Sequence, residues 1–206
     1  MDIITRITRQ RGKIQIVISE QEMIVVPLSL FRERPLTEGQ PINLEEYDNW
    51  LMVRQYRHAL DRAVACLAAR AHSKHEIEQK LLRVGYRPCT VEMVLYKLER
   101  EHLLNDADFA RQWVEARSGR KLGRSRIAQE LRRKGINADE AEEALSAIGE
   151  DTQLADAIAL AEKAAARAKS DEDPRKTYQR MAAMLARRGF SWDITKEALA
   201  QVLQAD

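Results

Sequence analysis

Cysteine is scarce in this 206-residue chain: Cys66 and Cys89 are the two, and they form no CxxC. A disulfide framework is thereby excluded, and a reducing compartment is the expected setting. Aromatic residues make up only 5% of the chain, so Ala and Leu carry much of its 45% apolar content. Close-packed helices suit that composition better than a β-sandwich. No apolar run approaches the roughly eighteen residues of a membrane span, and "MDIITRITRQ" lacks the apolar stretch of a signal peptide. The chain is expected to be soluble and cytoplasmic, with no membrane partner. Catalytic signatures are missing too. Gly119 and Gly123 flank "RKL" without making a phosphate-cradling loop, and no nucleophile–base pair stands out. His58, His72, His75 and His102 are the histidines, and His72-x-x-His75 has no further ligands close in sequence. No enzymatic activity, metal or cofactor is expected.

What is present is a local excess of charge. The chain carries a formal net charge of only +2. Yet Arg117 to Lys134 holds eight cations and a single acid, Glu130, while Asp139 to Glu143 reads "DEAEE". The first fifty residues differ from the rest. "KIQIVIS" and "MIVVPL" are short β-branched runs separated by a polar turn, the pattern of a hairpin. A two-stranded hairpin is marginal alone and must pack on something. "LTEGQPINLEEY" is a turn and the lead-in to a helix, and from about Glu45 the chain is helical.

The helical part repeats. "IEQKLLRVGY", "IAQELRRKGI" and "MAAMLARRGF" align on Gly85, Gly135 and Gly189, fifty and fifty-four residues apart. Each copy has an apolar residue eight before the Gly (Ile77, Ile127, Met181) and a Leu four before it (Leu81, Leu131, Leu185). An apolar residue follows it (Tyr86, Ile136, Phe190), and a Leu lies ten beyond (Leu95, Leu145, Leu199). The first two positions make one helical face, and the Gly suits a left-handed helix end. Ser73 with Glu76 and Asn137 with Glu140 are capping-box patterns, and Asp173-Pro174 supplies a cap and first-turn Pro. Further helices precede these, at roughly Asp48–Ala71, Asp106–Ser118 and Thr152–Lys169. The fold class is therefore mainly α: three tandem three-helix repeats in an elongated array, after a small N-terminal β-hairpin element. The expected divisions are 1–47 for the extension, then 48–104, 105–150 and 151–206 for the repeats.

At "LLNDADFARQWVEARSGRKLGRSRIAQELRRKGI" the sequence resembles the RecX family, bacterial regulators of the RecA recombinase. "CLAARAHSKHEIEQKLLRVGY" resembles the family's first repeat and "LARRGFSWDITKEAL" its third, so the resemblance covers about Leu60 to Leu203. Ala71-His72 depart from the basic or proline residues frequent there. The resemblance implies a monomeric, non-enzymatic protein that binds the RecA–single-stranded DNA filament. It implies inhibition of ATP hydrolysis, strand exchange and coprotease action, hence regulation of DNA repair, homologous recombination and the SOS response.

The candidate partner- or nucleic-acid-binding residues are Arg117, Arg120, Lys121, Arg124, Arg126, Arg132, Arg133 and Lys134. Ile127, Ala128 and Leu131 form the buried stripe of their helix, which leaves Arg126, Gln129, Glu130 and Arg133 on the opposite face. Arg132, Arg133 and Lys134 suit the negative end of that helix. Lys121, Arg124 and Arg126 crowd its positive end, where each cation loses about 0.3–1 kcal/mol. Such a cluster is either an ordinary solvated face or the seat of an anionic partner, DNA phosphate or acidic protein surface. Phe109 and Trp113 are expected in the core, and Trp192 is expected to staple a turn. "SRIAQELRRKGINADEAEEAL" also passes as a helix-turn-helix, but its second helix opens with acids, which is wrong for a major groove. A helical-repeat adaptor for a protein partner is the remaining alternative.

Overall fold

β-Branched residues on alternate positions organise the first stretch of chain. The computed structural model describes residues 2–19, 22–167 and 173–203. Strands β1 (Asp2–Gln10), β2 (Lys13–Ile18) and β3 (Glu22–Pro27) lead into a short helix α1 (Leu28–Glu33), and β4 (Pro41–Ile42) follows. The sheet order is β3-β2-β1-β4, with antiparallel pairing throughout. β2 and β3 are the expected hairpin. The sheet is larger than expected, because β1 pairs with β2 along most of its length and bridges to β4. Ile14, Ile16 and Ile18 point to one face and are buried, as the two-residue side-chain period of a strand requires.

Helices α2 (Leu44–Ala69), α3 (Lys74–Val84) and α4 (Pro88–Arg100) complete the first compact unit, Met1–Asn105. They share one core with the sheet: Ile4, Ile16 and Val26 belong to the same cluster as Leu51, Ala59, Ile77, Leu81 and Leu98. The hairpin thus has the packing partner that its size demands. Local chemistry sets the helix ends. Ser73 and Glu76 make a full capping box, and Gly85 ends α3 at φ +99. Buried Gln55 takes up the Arg87 N–H at 3.0 Å, the first donor of α4. The Arg87 guanidinium forks onto Asp48, one bond being 2.8 Å, and holds that carboxyl below its usual range. Burial pushes the Tyr47 hydroxyl up to about 12.

His72 sits at the turn between α2 and α3, 4% exposed. Its Nδ1 is 3.0 Å from the Arg70 carbonyl and its Nε2 is 2.7 Å from Lys80 Nζ. The carbonyl assigns the proton to Nδ1, leaving Nε2 to accept from the ammonium. Burial is the main cause that lowers its pKa, and the Arg70 and Lys80 charges add to it. A histidine held neutral in the fold stabilises above its unfolded pKa of about 6.5 and loses that contribution as pH falls below it. The stability difference between wild type and His72→Gln, from denaturant melts, is therefore expected to shrink from pH 7.5 to pH 5. A difference constant with pH would remove His72 from the balance.

The second unit, Asp106–Asp206, has six helices among the described residues: α5 (Asp106–Ser118), α6 (Arg124–Arg133), α7 (Ala138–Ser146), α8 (Glu150–Ala165), α9 (Pro174–Arg188) and α10 (Trp192–Leu203). The expected extension of the α8 helix to Lys169 lies in part outside the described residues. Two cores form. One gathers Phe109, Val114, Ile127, Leu131, Ile136 and Leu145, the other Ala157, Ala161, Met181, Leu185, Phe190 and Leu199. Asn137 Oδ1 accepts the Glu140 N–H at 2.8 Å, and Asp173 accepts from Arg175 at 2.9 Å. Gly135 and Gly189 hold φ of +77 and +91. Trp192 departs from expectation. It is 63% exposed on the first turn of α10, and Phe190, next to the glycine, does the packing.

Candidate partner-binding groove

The site begins at one backbone junction. Gly123, the N-cap of α6, lies against the end of α9. Its N–H donates to the Arg188 carbonyl at 2.9 Å, and the Ser125 N–H donates to the Gly189 carbonyl at 3.2 Å. Gln153 of α8 accepts the Arg124 N–H at 3.0 Å. The first donors of α6 are therefore satisfied by protein, and the positive end of α6 meets the negative end of α9. Only glycines fit here: a Cβ on Gly123 would come within 2.2 Å of the Gly189 carbonyl. The Arg188 guanidinium returns across the junction to the Arg120 and Lys121 carbonyls, at 3.3 and 3.4 Å. Lys121 itself takes φ +56, a left-handed turn that costs a non-glycine residue about 1–3 kcal/mol.

This junction corrects the view of Lys121, Arg124 and Arg126 as cations crowding an uncompensated helix start. The same place is a helix end, where cations are favoured, and each has an acid. Lys121 reaches Asp156 at 3.4 Å, Arg124 reaches Glu142 at 2.8 Å, and Arg126 reaches Glu130 at 3.6 Å. These pairs are about 40% exposed on the basic side and are worth roughly 0.2–1 kcal/mol each. Neutralising the three removes ion pairs and does not relieve a strain.

Glu130 also moves from its expected place on the solvated face. Its side chain is only 17% exposed. It accepts from Trp113 Nε1 at 3.1 Å and lies 2.7 Å from Arg117 Nε, near enough for an ion pair but not aligned as a hydrogen bond. Trp113 stacks on Phe109 with centroids 5.8 Å apart. Arg117 and Lys134 stand over the Trp113 ring at 4.2 and 4.0 Å. Cation–π contact and burial thus engage these two cations within the fold.

Three of the eight candidates remain different in kind. Among the described residues, Arg120, Arg132 and Arg133 are exposed and pair with no carboxylate. Arg120 and Arg132 border an open groove of about 1340 Å³, together with Arg117 and Arg126. Arg133 does not line it. The groove adds Arg187 and Arg188 from the last turn of α9, which were not among the candidates. Arg187 stands two before Gly189 as Arg133 stands two before Gly135, yet of the two only Arg187 lines the groove, so the repeat position marks a basic helix end and not the groove itself. Leu122, Ala128, Ile136, Ala138, Ala141 and Ala186 add apolar surface to the groove. Among the described residues no cluster of His, Cys, Asp and Glu is fit to hold a metal ion, and no helix is long and apolar enough to cross a membrane.

Comparison with known proteins places this architecture. Models of the first, second and third three-helix domains of RecX match residues 59–98, 105–145 and 151–199. A regulatory protein RecX from Clostridioides difficile (strain 630) is 31% identical over 210 residues, covering 100% of this chain and 98% of that protein. One from Mycobacteroides abscessus is 38% identical over 141 residues, 65% of this chain and 68% of the relative. A crystal structure of a regulatory protein RecX matches over the full length of both chains, with a TM-score of 0.67 at 22% identity, a likeness of fold. RecX from Lactobacillus salivarius matches 74% of this chain and 99% of its own, with a TM-score of 0.68 at 25% identity. Three domain models matched in order, and a relative 31% identical along the entire chain, show that it belongs to the RecX family of regulatory proteins.

Proposed function

We propose that this protein binds the RecA–single-stranded DNA filament and inhibits its ATPase, strand-exchange and coprotease activities. It acts as a monomer in the cytoplasm, by occupation and not by chemistry. The modules are a β extension over 1–47 and repeats over 48–104, 105–150 and 151–206. The groove beside α6 and α9 is its anion-directed contact. The observation that carries this is a set of exposed arginines, Arg120, Arg132 and Arg187, that among the described residues have no carboxylate partner, in a groove whose other cations are engaged within the fold. Guanidinium groups left without an internal acid are suited to carboxylate or phosphate from outside. Membership of a family of regulatory proteins supports the recombinase as the partner.

The test is RecA ATPase on single-stranded DNA, titrated with this protein. Wild type is expected to inhibit. Arg120→Ala/Arg132→Ala/Arg187→Ala is expected to need about ten- to a hundredfold more protein, since interface arginines cost about 1 kcal/mol or more when truncated. A control triple change of the exposed Lys163, Arg167 and Lys196 to Ala, outside the groove, is expected to leave inhibition within about threefold. Equal loss in both triples would reduce the groove to a matter of net charge. No inhibition by wild type would remove the proposal.

A further inference from the structure

The groove has a chemistry that distinguishes between the two anions a recombinase filament offers. We infer that it takes an acidic protein segment with apolar anchors, as an amphipathic helix or strand presents them, and does not take the DNA strand. This rests on the proposed function for the identity of the partner assembly. Its volume of about 1340 Å³ exceeds the roughly 300–1,000 Å³ of a small-molecule pocket, which favours a polymer. Ala128, Ala138, Ala141 and Ala186 line it together with Leu122, and the four alanines are small enough to leave room for larger side chains to insert. Arg120, Arg132 and Arg187 border them. A lining that mixes small apolar side chains with exposed guanidinium groups complements a segment that alternates apolar anchors with carboxylates.

A nucleic-acid strand fits less well on three counts. None of the lining residues is aromatic, so bases have no ring on which to stack. The nearby indole of Trp113 is already covered by Arg117 and Lys134. Glu130 and Glu142 also line the groove, and they would face a phosphate track with like charge. An acidic peptide carries separated carboxylates that can pair with the exposed arginines and leave both glutamates to their present partners, Arg126 and Arg124. The proposal therefore assigns the groove to protein recognition, and any DNA contact to another surface.

The full chain is titrated, by fluorescence anisotropy, against three labelled probes. One is a synthetic peptide with Leu at i, i+4 and i+7 and Asp or Glu between, one its scrambled isomer, and one an oligo(dT) strand. The patterned peptide is expected to bind at least about tenfold more tightly than the scrambled one, since anchors in register carry such interfaces. Charge reversal at Arg120, Arg132 and Arg187 is expected to weaken it by about tenfold or more. Ala186→Gln, on an exposed helix position that lines the groove, takes up its space without changing charge and is expected to weaken the peptide while leaving oligo(dT) unaffected. Far-UV circular dichroism checks that each variant folds. Equal binding of both peptides overturns the inference, as does binding of neither, or oligo(dT) binding that the charge reversal abolishes. The ATPase titration keeps the two proposals apart. Inhibition with no peptide selectivity leaves the function standing and removes the groove's assignment, whereas peptide binding without ATPase inhibition does the reverse.

Discussion

Gly189→Ala is expected to be among the most damaging single-methyl additions in this protein, at about 2–6 kcal/mol. Two effects combine. Gly189 holds φ +91, where a side chain strains the backbone by about 1–3 kcal/mol. Its Cβ would also meet the backbone nitrogen and Cβ of Arg126 at 2.4 Å, and overpacking against atoms that cannot swing aside costs about 1–3 kcal/mol more. Gly39→Ala is the control: it holds φ +81 with nothing within 4 Å of the new Cβ, so it keeps the strain and lacks the clash. Denaturant melts give the totals. Hydrogen exchange at Ser125 gives the place, because its N–H donates to the Gly189 carbonyl and is expected to lose protection as α6 parts from α9. Equal losses for Gly39→Ala and Gly189→Ala would mean that the close approach contributes nothing.

Leu131→Ala is expected to cost about 2–5 kcal/mol, the range for emptying a fully buried leucine site. Leu131 is 0% exposed and lies in a cluster of ten buried residues, three of them alanines. So thin a core has little with which to refill a cavity. Arg133, two residues on, is exposed, and its replacement by alanine is expected to cost under about 0.5 kcal/mol. Similar losses in urea melts would mean that the faces of α6 are assigned the wrong way round. The contrast also bears on Arg132, the exposed groove residue beside Arg133 on α6, whose exchange is likewise expected to leave the helix folded.

Why these faces are legible in the sequence is a matter of range. A helix is written within a few residues. Ile127 and Leu131 recur at i and i+4, Ser73 with Glu76 and Asn137 with Glu140 close their caps within one turn, and Gly85, Gly135 and Gly189 end three helices in a left-handed residue. The family resemblance rests on the same local signals in order, and the matched domain models agree with it. β1 was not legible. Its "DIITRITRQ" is mostly polar, with Ile4 as its buried residue, and its strand character comes from pairing with β2 and β4. Trp192 faces outward, against expectation, because a bulky residue after a helix-ending glycine has two possible directions, and Phe190 already fills the inner one.

The sequence by itself determined the three-helix repeats, their caps and buried stripes, and the presence of a basic segment from Arg117 to Lys134, because each of these depends on neighbours a few positions away. Only the tertiary structure decided what that segment's charges do. Lys121 meets Asp156, Arg124 meets Glu142, and Arg188 reaches back to carbonyls sixty-seven and sixty-eight residues earlier. The start of α6 abuts the end of α9 because two glycines let the backbones touch. A charge's partner is set by distance in space, which falls off with no regard to chain order, so a run of eight cations separates into those engaged in the fold and those left to meet another molecule only once the helices are packed.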